Sequence, residues 1–183
     1  SLDLIIKVRE RWVILPAPII AFADRNVAEW WRQYRHDFRR LQYGLQLNWD
    51  NLSGRNDRLY FAMSFGFAQR LDIGYSIPQF NRRREQVGLS ILFNMSRSKR
   101  IAFNTLDDEL AFMNLGTSWQ LQKIQITQQI SYRKKIHNTH YFQIGYGFSA
   151  ISDSVHHANP DYFLDSARHQ HAFKIGYTFV SDY

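Results

Sequence analysis

From residue 41 onward the chain alternates large apolar with small or polar residues. Leu41, Tyr43, Leu45, Leu47 and Trp49 oppose Gln42, Gly44, Gln46, Asn48 and Asp50. Leu59, Phe61, Met63, Phe65 and Phe67 oppose Tyr60, Ala62, Ser64, Gly66 and Ala68. The same beat returns at Leu71 to Ile77, Val87 to Met95, Ile124 to Tyr132, Phe142 to Phe148 and Phe173 to Phe179. Successive strand residues point to opposite sides, so a period of two predicts strands with unlike faces.

Two features narrow the class. Most runs cover about nine residues, and a tilted strand needs roughly 9–11 to cross a bilayer. The second face is mostly Gly, Ser, Ala, Gln and Asn, with charge held to the strand ends. A soluble sandwich puts Lys, Glu and Thr on its wet face. Small uncharged polar residues suit a barrel lumen, and continuous Leu, Ile, Phe and Tyr suit lipid. The expected fold is therefore all-β, an antiparallel transmembrane β-barrel with about eight strands present. Trp12, Trp49, Tyr132 and Tyr183 lie near strand ends, where interfacial aromatics belong. A soluble barrel with its apolar face inside is the competing fold.

The connections differ by side. Residues 51–57, 79–86 and 134–139 read as short polar turns, and 24–40 and 153–170 as long loops, with Ala68-Gln69-Arg70 a tight exception. Short turns on one rim and long loops on the other is the outer-membrane arrangement, the short rim being periplasmic. Between Arg97 and Lys123 a hairpin is expected beyond the wall. Ile101 and Phe103 rise, Asp107-Asp108 form the tip, and Leu110 and Phe112 return. Val27, Trp30, Trp31, Tyr34 and Phe38 have helical spacing in the first long loop.

Composition removes other classes. Apolar residues make up 45% of the 183 and aromatics 16%, too many for a disordered chain. Mean hydropathy is −0.42, and no apolar run reaches the ~20 residues of a spanning helix. Without cysteine there is neither disulfide nor thiolate metal site. No secretory leader is visible; the chain starts mid-pattern at Ser1. The formal charge of +7 concentrates in Arg32 to Arg40, Arg82 to Arg84, Arg97 to Arg100 and Arg133 to Lys135. Each cluster is expected between strands, as a solvated loop.

The beginning is distinct. Leu2, Leu4, Ile6 and Val8 alternate with charged residues as in a soluble strand, and residues 12–23 are almost wholly apolar around Pro16 and Pro18. Proline lacks the N–H that a ladder requires. Two prolines at i and i+2 remove donors from one side of the strand, leaving the amides of Leu15, Ala17 and Ile19 to pair with residues 41–49. Ordinary protection of an edge strand explains the prolines equally well.

Lys7-Val8-Arg9-Glu10-Arg11-Trp12 resembles the junction at which, in the BamA/TamA family, the last POTRA strand runs into the barrel. Asn51-Leu52-Ser53-Gly54-Arg55-Asn56-Asp57-Arg58-Leu59 resembles that family's first periplasmic turn. Ala23-Asp24-Arg25-Asn26 and Asn159 to Leu164 resemble a one-POTRA branch. The short motifs run along essentially the whole chain, in order. The family's lumenal Arg-Gly-Phe/Tyr motif and its closing strand are missing. The resemblance implies residues 1–11 as the end of a POTRA domain and 12–183 as the N-terminal half of a sixteen-stranded barrel. It also implies a role in assembling or translocating other outer-membrane proteins, in the bacterial outer membrane, with client proteins and accessory subunits as partners. A small closed barrel, a passive pore and a transporter of small or lipidic molecules are the alternatives.

Pro16, Pro18, Leu15, Ala17 and Ile19 would then form a lateral seam, and Gly54, Arg55, Asn56 and Asp57 the periplasmic turn. Arg32, Arg35, Arg39, Arg97, Lys99 and Arg100 are candidate contacts for lipopolysaccharide phosphates, which Arg binds bidentately. No arrangement of nucleophile, base and acid is discernible, and no enzyme activity or cofactor is expected. His156-His157, His169, His171 and Asp107-Asp108-Glu109 read as polar loop residues rather than metal ligands. The Arg and aromatic residues of 30–40 are not on a sheet face, so nucleic acid is not an expected partner.

Overall fold

The computed structural model describes residues 13–22, 41–80, 86–106, 109–114, 118–135 and 137–181. The strands are β1 (Ile14–Phe22), β2 (Leu41–Asp50), β3 (Arg58–Gly66), β4 (Ala68–Ile77) and β5 (Gln86–Ser98). They continue with β6 (Arg100–Leu106), β7 (Glu109–Asn114), β8 (Leu121–Lys135), β9 (Asn138–Ile151) and β10 (His169–Ser181). Eight form one antiparallel sheet in the order β1-β2-β3-β4-β5-β8-β9-β10, and β6-β7 form a separate hairpin. Among the described residues the sheet is open: β1 bonds only to β2, and β10 only to β9. Among the described residues no helix is long and apolar enough to cross a membrane, which says nothing of strands.

The register aligns residues of one kind across the sheet. Leu45, Met63, Leu71, Met95, Ile124 and Phe148 form one apolar row, and Leu47, Phe61, Ile73, Phe93, Ile126 and Tyr146 the next. The intervening rows carry most of the polar residues and every described in-strand glycine. The polar face is the more enclosed of the two. Ala62, Ser64, Asp72 and Thr139 are buried there, while Leu45, Ile73, Ile126, Phe142 and Ile144 on the other face are exposed. Phe173 is 80% and Ile175 87% exposed. Glycine lets neighbouring strands approach closely on this face. At Gly44 an added Cβ would fall onto the Met63 carbonyl oxygen and the Ser64 backbone.

A small apolar core lies at one rim rather than within the sheet. Ile101, Ile151, Val155 and Phe163 are buried together, with Leu121, Tyr162 and Ala167 against them. It is held by the helix α1 (Asp153–Ala158), capped by Ser152, whose side chain accepts from the Val155 amide. Gln120, 1% exposed, fastens this cap to the wall. Its amide donates to Ser98 O, its carbonyl accepts from the Ser152 amide, and its side-chain oxygen accepts from the Ser152 hydroxyl.

Several sequence expectations need correction. Ala68-Gln69-Arg70 is not a turn: β4 already begins at Ala68, and the chain reverses at Gly66-Phe67. Gly66 has φ +105, where an added Cβ would collide with the Leu41 carbonyl, so glycine fixes the reversal two residues earlier. Arg97 and Arg133 to Lys135 are not between strands; β5 and β8 run through them. The turn expected over 134–139 shrinks accordingly, β9 starting at Asn138. Nor is charge confined to strand ends, since Asp72 and Lys174 sit within β4 and β10 on the polar face. The loop expected over 153–170 contains α1. The POTRA strand, Trp12, the helix over 27–38, Arg82 to Arg84, the tip Asp107-Asp108 and Tyr183 lie outside the described residues, as do Ala23 to Asn26.

Candidate functional site

The two open edges differ chemically. At β1, the Asp50 amide donates to Val13 O at 2.8 Å. Bonded and non-bonded pairs alternate in an antiparallel ladder. The register therefore puts Leu15, Ala17 and Ile19 in bonded pairs with Asn48, Gln46 and Gly44. Ile14, Pro16, Pro18 and Ile20 consequently direct their backbone outward. Between Ile14 and Ile20 that edge offers four carbonyls but only the amides of Ile14 and Ile20, because proline has no N–H. At β10, the Ile151 amide donates to Arg168 O at 3.0 Å. The same alternation engages Gln170, Ala172, Lys174, Gly176 and Thr178 with β9. Outward lie both the amides and the carbonyls of His171, Phe173, Ile175, Tyr177 and Phe179. One edge is donor-poor and nine residues long; the other is complete and thirteen long.

The turn between β2 and β3 is built around one carboxylate. Asn51, Gly54 and Asn56 take positive φ values of 57, 78 and 58, which Asn and Gly tolerate best. The Asn51 amide donates to Asp57 O at 2.6 Å, and the Asn56 amide to Asn51 Oδ1 at 3.0 Å. Asp57, 1% exposed, accepts from the Ser53 amide at 2.9 Å and from the Tyr75 hydroxyl at 2.8 Å. Burial alone would raise its pKa. The hydrogen bonds from Ser53 and Tyr75 outweigh burial and hold it below the ordinary 3.8. Of the four turn residues singled out by sequence, Asp57 organises the loop, Gly54 and Asn56 supply its conformation, and Arg55 is exposed. Sequence reading missed Ser53 and Tyr75. Tyr75 looked like another apolar strand residue, and only its place near the end of β4 hinted at a polar partner.

The polar face carries a network that the sequence did not reveal. Asp72, 5% exposed, pairs with Arg70 Nε at 2.7 Å and accepts from Asn94 Nδ2 at 2.6 Å. Gln42 Nε2 donates to Ser64 Oγ at 2.7 Å. Two hollows open on this face. One of about 580 Å³ lies beside the β2–β3 turn, between Asp57, Ser90, Gln129, Arg133 and Tyr141. The other, about 300 Å³, lies between Gln42, Tyr60, Ser64, Arg70 and Asp72.

At the opposite rim, Arg97 lies in β5 on the apolar face, flanked in register by Gln69 and Gln122. Its Nε is buried without a hydrogen-bond partner. Lys99 Nζ sits 4.9 Å from the centre of the Trp119 ring. Arg32, Arg35 and Arg39 are outside the described residues, and of Arg100 only the backbone is described. The histidines do not converge: His171 Nδ1 lies 2.8 Å from Tyr146 OH, and His140 Nδ1 2.9 Å from Tyr177 OH. Among the described residues no three His, Cys, Asp or Glu are grouped to hold a metal ion.

No family model matches the chain, and no curated protein matches it. Among solved structures it is similar to BamA from Haemophilus ducreyi lacking POTRA domains 1–3, with 11% identity and a TM-score of 0.46. The match covers 93% of this chain and 29% of that one, so the chain spans under a third of its length.

Proposed function

We propose that this chain forms part of the wall of a bacterial outer-membrane β-barrel. Its first strand borders a weakly bonded seam through which other outer-membrane proteins are assembled or translocated. One observation carries the membrane reading: the large apolar side chains occupy the exposed face, and the polar residues occupy the enclosed one. A soluble ligand-binding barrel requires the reverse. The accessible surface is 14329 Å², against roughly 9,300 Å² for a compact protein of this mass. Ile73, Ile126, Ile144, Phe173 and Ile175 are exposed together on that face; water does not tolerate so continuous an apolar face, whereas lipid is its natural solvent. In this reading the rim of the β2–β3 turn is periplasmic, and the rim of α1 and the β6–β7 hairpin faces outward.

The half-barrel reading draws support from the open edges, since lipid cannot satisfy unpaired backbone groups and a spanning sheet must close. Further strands of the full-length protein would complete a sixteen-stranded wall, preceded by at least one POTRA domain. The seam reading draws support from the donor-poor β1 edge. A client strand adding there by β-augmentation meets backbone acceptors without a full competing ladder. Client proteins and accessory subunits are the partners, and the chain performs no bond chemistry. A passive pore is the second reading, favoured by the charged Asp72–Arg70 pair on the enclosed face.

The test uses the full-length protein with one cysteine in β1 and one in the strand that closes on it. A disulfide there should block client assembly, and reduction should restore it, with any ion conductance unchanged throughout. Undiminished assembly by a fully crosslinked barrel would defeat the seam mechanism and favour the pore.

A further inference from the structure

We propose that the outer-wall notch beneath Arg97 binds lipopolysaccharide, an acyl chain lying on Met63, Leu71 and Met95 and a headgroup phosphate on the Arg97 guanidinium. This deepens the lipid-facing reading of the apolar face and rests on it.

The first observation is shape. A hollow of about 150 Å³ opens on the apolar face between Met63, Phe65, Gln69, Leu71, Met95 and Arg97. The register sets Met63, Leu71 and Met95 side by side across three strands. Unbranched thioethers adapt their rotamers to a mobile chain better than branched aliphatics do. The second observation is charge placed where the apolar row ends. The next row toward the rim is Gln69, Arg97 and Gln122, all hydrogen-bond donors. Among the described residues no carboxylate lines the hollow. Arg97 lines the hollow, and its Nε is buried with no hydrogen-bond partner. Leaving such a donor unmatched is costly, and a guanidinium fork matches phosphate oxygens in two places at once. Lys99 adds a second cation further along the rim, steadied over Trp119.

Apolar row, then amide and guanidinium donors, then a lysine: this is the profile of a lipid read from chain to phosphate. A free phosphate would make no use of the methionine row. An apolar peptide would leave the guanidinium unmatched. Apart from the tight β3–β4 reversal, the connections on this rim are the long ones, the side that faces the lipopolysaccharide leaflet when the β2–β3 turn is periplasmic.

The experiment places the full-length protein in phosphatidylcholine nanodiscs and measures retained lipid A by native mass spectrometry. Folding of each variant is checked by heat-dependent gel mobility. Arg97→Gln should lower retention roughly tenfold, the scale of one charge-assisted contact. Met95→Trp, which fills the notch and keeps the charge, should lower it comparably. Dephosphorylated lipid A should bind the unaltered chain as weakly as lipid A binds Arg97→Gln. Retention unchanged in folded Arg97→Gln or Met95→Trp would overturn the site. Equal retention of phosphatidylglycerol, or displacement by inorganic phosphate alone, would overturn its assignment to lipopolysaccharide. A chain that is folded and monodisperse in plain buffer defeats the lipid-facing reading and the site together. A chain that inserts normally but ignores these substitutions defeats the site alone.

Discussion

The first and last strands of the sheet are both edges, yet they are prepared for different fates. β10 offers a thirteen-residue ladder with every donor and acceptor in place, behind the most exposed apolar side chains of the described chain. β1 is nine residues long, and two of the four outward-facing residues from Ile14 to Ile20 are prolines. A complete flat edge invites a permanent neighbour, and an edge without donors resists one. The difference teaches that openness alone does not define a seam. What matters is how many rungs a neighbouring strand can gain, and two of the outward-facing positions of β1 have no donor to give.

The largest expected effect tests whether the exposed face of this sheet meets lipid at all. Ile175 is at the middle of β10 and 87% exposed. Ile175→Arg should cost about 2–4 kcal/mol of folding into vesicles, the depth-dependent penalty at a bilayer midplane. Ile20→Arg, near the end of β1, should cost about 0–1 kcal/mol because arginine there reaches the interface. Urea titration of vesicle-bound protein reads both. Equal, negligible costs would mean that neither edge lies in lipid.

The next effect exchanges the characters of the edges. Replacing Pro16 and Pro18 with Thr restores two donors to β1, each worth about 0.5–1.5 kcal/mol when bonded. The seam should tighten and client assembly should slow, while the barrel stays folded. Phe173→Pro should be tolerated by the β9–β10 ladder, since that amide points outward. Lys174→Pro should cost about 1–3 kcal/mol by orphaning a carbonyl of β9. Hydrogen exchange at Gly145 distinguishes the two, and equal effects would mean that the ladder phase is wrong.

Most of the architecture was legible in the sequence because strands with unlike faces announce themselves by period. The eight strands of the sheet and the rim hairpin appear where alternation put them. What escaped depends on pairing across the sheet, which one strand cannot report. Arg97 and Arg133 looked like loop residues because charge usually ends a strand, yet β5 and β8 pair straight through them. Asp72 looked like one more small polar residue, since its partner Asn94 is defined only once β4 and β5 are in register; Arg70, two residues away on the same strand face, was the signal that could have marked it. Tyr75 was hidden for the same reason, its hydroxyl meeting Asp57 from eighteen residues away. The helix α1 is six residues long, too short to show a period.

The smallest effect concerns the turn that anchors β2 where β1 begins. Asp57 closes that turn, and seven residues before it the Asp50 amide makes the first rung to Val13. The folded carboxylate titrates below its ordinary 3.8 because Ser53 and Tyr75 donate to the charged form. A depressed folded pKa means that its stabilisation is complete above the unfolded value and is lost as pH falls through the folded one. The amides of Ser53 and Asn51 should therefore stay protected at neutral pH and lose protection only below 3.8. Asp57→Asn should remove that pH dependence and loosen the turn at every pH, because an amide oxygen accepts more weakly than a carboxylate. Tyr75→Phe should do the same more mildly, leaving the Ser53 contact in place. If the turn fastens the start of the seam, exchange at Asp50 should rise in both variants while the β9–β10 ladder is unaffected. Loosening confined to residues 51–57, with Asp50 still protected, would mean that the turn and the β1 edge are independent.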